Sequence, residues 1–344
     1  MKQAAGGTRF INIGENIHCT RVVKREGARG GVAPDGRPGV RFPDGGDEAW
    51  VPLPESIVES KEFQDSARIK HVMAAVRQGL AGGAEADVAA RYVAWMAQRQ
   101  IDGGADYLDL NVDEISPDLE GRLEAMQWLV AAVGPVSSVP LAIDSSDAAV
   151  LEAGLDAVDA AWAGVAMPMV NSASTERPEV LELVKDRGTP VVLSCTGASM
   201  PSGTRDRIER AEEIIGKATD LGLPLDSLHV DPLVIPIGVD PMAGGAFMDA
   251  VRTIRERYGE EIHITGGVSN ISFGLPARRI ITDVFLDLCV EAGLDSGIID
   301  PVADVAAALD PDREAEAYTL ARAMLTGEDA FGMQFIEAFR AGKF

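Results

Sequence analysis

The sequence predicts a (β/α)8 barrel with a long insertion after its first strand. Three observations carry this. Eight short apolar runs, each bounded by Gly, Pro, Ser or Asp, alternate with helical patterns along the chain. The runs are continuously apolar, as strands buried on both faces of a parallel sheet are. The length of 344 residues suits one barrel domain over residues 1–344 better than two average domains.

The strands are taken in order. RFINIG (Arg9–Gly14) opens the series and ADYLDLN (Ala105–Asn111) follows. Then come VPLAIDS (Val139–Ser145), GVAMPMVN (Gly164–Asn171), TPVVLSC (Thr189–Cys195), SLHVDPL (Ser227–Leu233), IHITGGV (Ile262–Val268) and SGIIDP (Ser296–Pro301). Between them the spacing predicts helices over Leu119–Val133, a short Ala148–Gly154, Glu176–Asp186 behind the cap candidates Ser174 and Thr175, Arg205–Leu221, and Phe247–Tyr258. Pro276–Ala292 follows, with Pro276 suited to a first helical turn. Val302–Leu309, Pro311–Leu325 and Asp329–Ala341 close the chain. An open doubly wound sheet is the runner-up, but no GxGxxG follows a first strand.

One region breaks the rhythm. About ninety residues separate the first two strands, where a βα unit needs about thirty. The insertion covers about residues 20–80 on the catalytic face. Arg21–Glu55, rich in Gly, Pro and Arg, reads as a long irregular loop, an ordered lid or partner-docking segment, with a floppy insertion as its rival. Ser60–Gly79 and Ala84–Gly103 read as helices. Arg21, Lys24, Arg25, Arg29, Arg37 and Arg41 give a local basic patch, suited to a glutamate tail or to a partner's acidic rim.

Composition is that of an ordinary soluble globular chain: 46% hydrophobic and 25% charged. The formal net charge of −23 argues against nucleic acid or an anionic membrane as partner. Three cysteines, Cys19, Cys195 and Cys289, are widely spaced and fit a reducing cytoplasm. Cys195 at a strand end is either a reactive thiol or an inert core residue. No stretch is apolar enough for a membrane span or a signal peptide. The four histidines are scattered without metal-ligand spacing, so no metal site is expected, and His229 reads as a core histidine. No GxSxG elbow is present.

Five of the runs end in an acid or an amide: Asp109 and Asn111, Asp144, Asn171, Asp231, and Asn270. Barrels of this class keep their chemistry at the C-terminal ends of the strands. Taken singly, each such residue could merely cap the next helix. Taken together, six are better explained by one shared site. A carboxylate accepts paired hydrogen bonds from an amidine-like edge, while a carboxamide both donates and accepts. The set suits a planar, nitrogen-rich ligand.

The motifs IGENIH (Ile13–His18), LDLNVDE (Leu108–Glu114), AIDSS (Ala142–Ser146), VNSAS (Val170–Ser174), VDPLVIP (Val230–Pro236) and GGVSNISFGLPARR (Gly266–Arg279) resemble the pterin-binding methyltransferases. These include methyltetrahydrofolate:corrinoid methyltransferases and the folate domain of cobalamin-dependent methionine synthase, with dihydropteroate synthase as a more distant relative of the same barrel. The resemblance runs from Phe10 to Asp300 and omits Arg21–Glu55. It implies that Asp144, Asn171 and Asp231 hold the pterin's hydrogen-bonding edge and that Asn270 contacts N5, with Asp231 nearby in a water-linked network. Asn270 and Asp231 are the catalytic candidates. Gly267 and Ser269 supply the backbone approach, Arg278 follows that loop, and Asn111 with Asn16, after strand one, completes the floor. Phe273 departs from the pattern, standing where a glutamine can occur.

The resemblance further implies methyl transfer by an SN2 step between N5 of (methyl)tetrahydrofolate and the cobalt of a corrinoid, in either direction. The cobalamin would arrive on a partner corrinoid protein, because this chain lacks a DxHxxG corrinoid signature. A homodimer is expected from the resemblance, and a cytoplasmic location from the cysteine usage. Alternatives are a corrinoid-linked methyltransferase with another donor, such as an aryl methyl ether or a methylamine, a non-enzymatic carrier and, more remotely, dihydropteroate synthase. The synthase's lysine-bearing loop is not evident in SCTGASM (Ser194–Met200).

Overall fold

The computed structural model describes residues 9–162 and 167–344. Its strands, in chain order, are β1 (Ile11–His18), β2 (Val22–Lys24), β3 (Gly30–Val32), β4 (Pro38–Asp44), β5 (Asp47–Pro52), β6 (Arg68–Lys70), β7 (Tyr107–Asn111), β8 (Leu141–Asp144), β9 (Met169–Ala173), β10 (Val191–Ser194), β11 (Leu228–Asp231), β12 (His263–Ile264) and β13 (Ser296–Ile299). One eight-stranded sheet runs in the order β12-β11-β10-β9-β8-β7-β1-β13. Its strands alternate with helices, and the Ile298 N–H donates to Gly266 O at 3.0 Å, pairing the two ends of that order. This is the expected (β/α)8 topology. All eight expected strands are present; residues 164–166 of GVAMPMVN lie outside the described residues.

The chain divides into two compact units, Gly14–Met169 and Val170–Phe344, the latter with the segment ending at Ile13. In the first, β7 and β8 pair in parallel with Asp109 opposite Ala142 and Asn111 opposite Asp144. Apolar residues between these polar ones, Leu108, Leu110, Leu141 and Ile143, are fully buried. Helices His71–Ala81, Ala84–Asp102, Leu119–Val133 and Ala148–Trp162 belong to this unit. Gly79 lies against the Trp128 indole: a Cβ there would sit 2.0 Å from the ring. The helix after β8, Ala148–Trp162, is a full fifteen-residue element rather than the short one expected.

The insertion also differs from expectation. Arg21–Glu55 is not an irregular loop: β3, β4 and β5 form an antiparallel sheet, and β2 pairs with β6. Ser60–Gly79 is not one helix but a short helix Lys61–Asp65, then β6, then His71–Ala81. The basic patch is largely engaged internally. Arg21 pairs with Glu15 at 2.6 Å and Arg37 with Asp35 and Glu85. Arg25 lies over the Phe63 ring at 3.7 Å, Arg29 bonds Tyr92 and packs on Trp95, and Arg41 bonds the backbone of Ala28.

In the second unit β9, β10, β11 and β12 pair in parallel, with Ser194 opposite Asp231. The helices are Pro178–Arg187, Gly203–Asp220, Ala243–Tyr258 and Arg278–Ala292, then Val305–Ala308, Glu316–Leu325 and Met333–Arg340. Several starts differ from expectation, with Ala243 in place of Phe247 and Glu316 in place of Pro311 among them. Arg177, not Ser174 or Thr175, precedes Pro178, which takes the first turn. Pro276 lies before its helix, because Ala277 adopts a left-handed conformation and the helix begins at Arg278. His229 is a core residue as expected: it stacks on His263 at 4.6 Å, and burial pushes it down to about 3, so it is neutral. Cys195 is buried and its thiol is pushed up by burial, which favours the inert reading.

Candidate active site

In the Gly14–Met169 unit the sequence-predicted residues Asn111 and Asp144 end neighbouring strands. The Asn111 Nδ2 donates to Asp144 Oδ2 at 2.9 Å. Parallel pairing in register makes this contact, since each is the last residue of its strand. Burial first, then the nearby Asp109 charge, pushes the Asp144 carboxyl well above the usual carboxylate range. Asp109, two residues before Asn111 and 2% exposed, adds a like charge that raises the Asp144 carboxyl further.

Asn16 lies within β1, which runs on to His18, rather than after the strand as expected. Its backbone N–H donates to Gln100 Oε1 at 3.0 Å. The strand end belongs instead to His18, a residue sequence reasoning set aside. His18 Nε2 lies 4.0 Å from Asp144 Oδ2, and Nδ1 contacts Thr20 Oγ1 at 2.7 Å. Burial, then Arg21, lowers His18 to about 4, so it is neutral near pH 7. Asp113 was also missed. It accepts from Ser145 Oγ at 2.5 Å and from the Ser146 N–H at 2.8 Å, tying the loop after β7 to the loop after β8. The repeated strand-then-acid pattern continues two residues past Asn111, and this was the available signal.

In the Val170–Phe344 unit, Asn171 sits in β9, 8% exposed, paired in register with Val192. Asp231 ends β11. Its Oδ1 accepts from the Leu233 N–H at 2.8 Å, across Pro232, and Leu233 is held at φ +68°. Burial pushes the Asp231 carboxyl up to about 6, against the opposing pull of that N–H and of Arg207. Arg207 is itself fully buried and donates to the Leu233 carbonyl at 3.3 Å. The acid is therefore poised to change charge near neutrality, which suits a group that must exchange protons.

Asn270 lies on the 3-10 turn Val268–Ser272, exposed, with its N–H bonded to Gly267 O at 3.0 Å. A Cβ on Gly267 would meet Asn270 Nδ2 at 2.7 Å, so glycine is what lets the carboxamide lie against the backbone there. Arg278 donates to Ser269 O at 2.9 Å and to Ser272 Oγ at 3.2 Å, clasping the turn that carries Asn270. Phe273 is 64% exposed beside the Arg278 guanidinium, whose carbon is 5.7 Å from the ring centre. Asn111, Asp144 and Asp231 thus end their strands, while Asn171, expected at a strand end, lies inside β9 as Asn16 lies inside β1; Gly267, Ser269 and Asn270 follow β12, and Arg278 opens the next helix.

Residues 81–300 match the family model of pterin binding enzymes. The chain belongs to that family. This pterin-binding enzyme is 30% identical over 250 residues to the methylcorrinoid:tetrahydrofolate methyltransferase of Eubacterium limosum, covering 71% of this chain and 85% of the other. It is 32% identical over 217 residues to the methionine synthase of Mycobacterium tuberculosis, covering 59% of this chain and 18% of that longer protein. Both relatives bear out the expected resemblance and the expectation of a methyltransferase. Dihydropteroate synthases of Xanthomonas albilineans and Stenotrophomonas maltophilia each superpose with a TM-score of 0.50. The first is 19% identical and covers 79% of this chain and 95% of its own; the second is 16% identical, covering 66% and 86%. They bear out the barrel fold.

Among the described residues no group of three or more His, Cys, Asp or Glu side chains is placed to hold a metal ion. No described helix is long and apolar enough to cross a membrane.

Proposed function

We propose that this chain transfers a methyl group between N5 of tetrahydrofolate and a corrinoid carried by a separate protein. The observation that carries the reading is the set of strand-end carboxyls and carboxamides, in motif order, in a chain 30% identical to a methylcorrinoid:tetrahydrofolate methyltransferase over 85% of that protein's length. That relative favours tetrahydrofolate as methyl acceptor; the same groups serve the reverse direction.

Asp144, Asn171 and Asp231 hold the pterin edge, with Asn111 orienting Asp144 through the 2.9 Å bond and Asn16 on the floor. Gly267 and Ser269 give the backbone approach. Arg278 keeps the Asn270 turn in place so that its carboxamide meets N5. The corrinoid supplies a cobalt centre able to give or take the methyl group. As the methyl leaves N5, the C–N electron pair stays on nitrogen, and a hydrogen bond from Asn270 with a proton relayed by Asp231 stabilises it. A bond strengthened only in the transition state contributes about 2–4 kcal/mol. An SN2 displacement needs the acceptor in line with the breaking bond, so positioning supplies most of the remaining acceleration. The reading includes a cytoplasmic homodimer.

Calorimetric titration with tetrahydrofolate, followed by a crystal soak, tests the reading. Binding with the pterin against Asp144, Asn171, Asp231 and Asn270 is expected. Absence of tetrahydrofolate binding, with methyl transfer from an aryl methyl ether or a methylamine instead, would refute it in favour of the other donor class.

A further inference from the structure

Within the Gly14–Met169 unit a cavity of about 390 Å³ is lined by residues of the insertion. That volume lies in the range of small-molecule sites, about 300–1,000 Å³. Its lining includes the apolar Phe63, Ile69 and Met73 and three cations, Arg68, Lys70 and Arg77. Lys70 is neutralised: its Nζ bonds Glu62 and Glu114, each at 2.9 Å. Arg77 donates to the Ile115 carbonyl at 3.1 Å, and neither it nor Arg68 has a carboxylate partner among the described residues. Two guanidiniums without a carboxylate partner, lining one cavity with Phe63, are unusual in a chain of net charge −23. They call for an anion attached to an apolar body.

The cavity is stitched to the strand ends. Glu114 comes three residues after Asn111, a chain reach of at most about 11 Å. The Cys19 N–H donates to Asn111 O at 3.1 Å, joining the end of β1 to the end of β7, and the His71 N–H donates to Arg21 O at 3.2 Å, joining the cavity's helix to the same segment. A ligand held at Asn111 and Asp144 therefore has this cavity as its neighbour on the β1–β7 side.

We propose that the cavity binds the aminobenzoyl-glutamate tail of the folate, the aryl ring against Phe63 and Met73 and the glutamate carboxylates on Arg68 and Arg77. The inference rests on the pterin reading above and deepens it, giving the insertion a task in substrate recognition. The basic residues predicted to meet a glutamate tail are replaced in that role by two others, because five of the six, all but Lys24, are engaged in internal bonds.

The test compares three ligands by calorimetry: tetrahydrofolate, its triglutamate, and 6-methyltetrahydropterin, which has no tail. Arg68 is exposed, so Arg68→Glu leaves the fold intact; Arg77→Ala is the second variant, its folding checked by circular dichroism. Each is expected to weaken tetrahydrofolate and the triglutamate about tenfold or more, as loss of a charge-assisted contact does, while leaving 6-methyltetrahydropterin unchanged. Equal weakening of all three ligands, or of none, overturns the tail site. Failure of the parent protein to bind any of the three overturns the pterin reading itself.

Discussion

Replacing Asp231 by Asn should make the protein more stable at neutral pH and less active. Burial moves the folded-state carboxyl from its ordinary 3.8 to about 6. Each unit corresponds to about 1.4 kcal/mol, so ionising Asp231 in the folded protein costs about 3 kcal/mol. The sign follows from proton counts. Between pH 3.8 and 6 the folded state holds a proton that the unfolded state has released, so stability falls as pH rises through that window and stays lower above it. Asn keeps the carbonyl that accepts from Leu233 and carries no charge at any pH. The variant's advantage in urea unfolding should therefore be near zero at pH 4, grow through pH 5 and 6, and level off at up to about 3 kcal/mol at pH 7. Other carboxyls cancel in the difference. An advantage that is the same at pH 4 and pH 7, or none at all, would refute the argument that burial of a charge dominates here. A gain in stability matched by a loss of pterin affinity is the trade expected of a functional group held in an unfavourable place.

Three further outcomes are expected. Asn270→Ala should cut single-turnover methyl transfer by about 10²- to 10³-fold while weakening pterin binding only modestly, the signature of a contact made mainly in the transition state; parent-like activity would remove Asn270 from the chemistry. Burial and the Asp109 charge push the Asp144 carboxyl well above the usual range, and arriving pterin N–H donors should favour its ionised form. Titrations in buffers of different ionisation enthalpy should then report proton release that disappears in Asp144→Asn, together with weaker binding. Gly79→Ala should lower stability by about 1–3 kcal/mol in thermal melts, because overpacking against Trp128 outweighs a helix-propensity gain of about 1 kcal/mol.

The barrel strands were legible because each is a short apolar run closed by a polar residue, and burial on both faces leaves no other pattern. The strand-end acids and amides were legible for the same reason. The length of β1 was not: Gly14, Glu15 and Asn16 look like a strand's end, yet the strand continues, and His18 with it was overlooked. The insertion was misread through its glycines. Gly31 and Gly39 are strand residues beneath the Trp50 ring, where a Cβ would come within 3.1 and 3.2 Å of it, so they mark close approach rather than a loop. Asp109 was legible as one of the strand acids, but its closeness to Asp144 was not, since only register shows that it lies diagonal to it.

The insertion is anchored through Arg29, which leaves its own sheet to bond Tyr92 and cover Trp95 on the helix Ala84–Asp102. Phe42 of β4 meets Tyr92 edge-on at 5.2 Å and Trp95 at a tilt at 5.9 Å. A lineage could not shed this segment by simple excision, for a raw aromatic face would be left behind on the scaffold. Relatives without the segment should carry polar residues on that helix, and positions 92 and 95 are where a comparison of shorter and longer relatives should find the change.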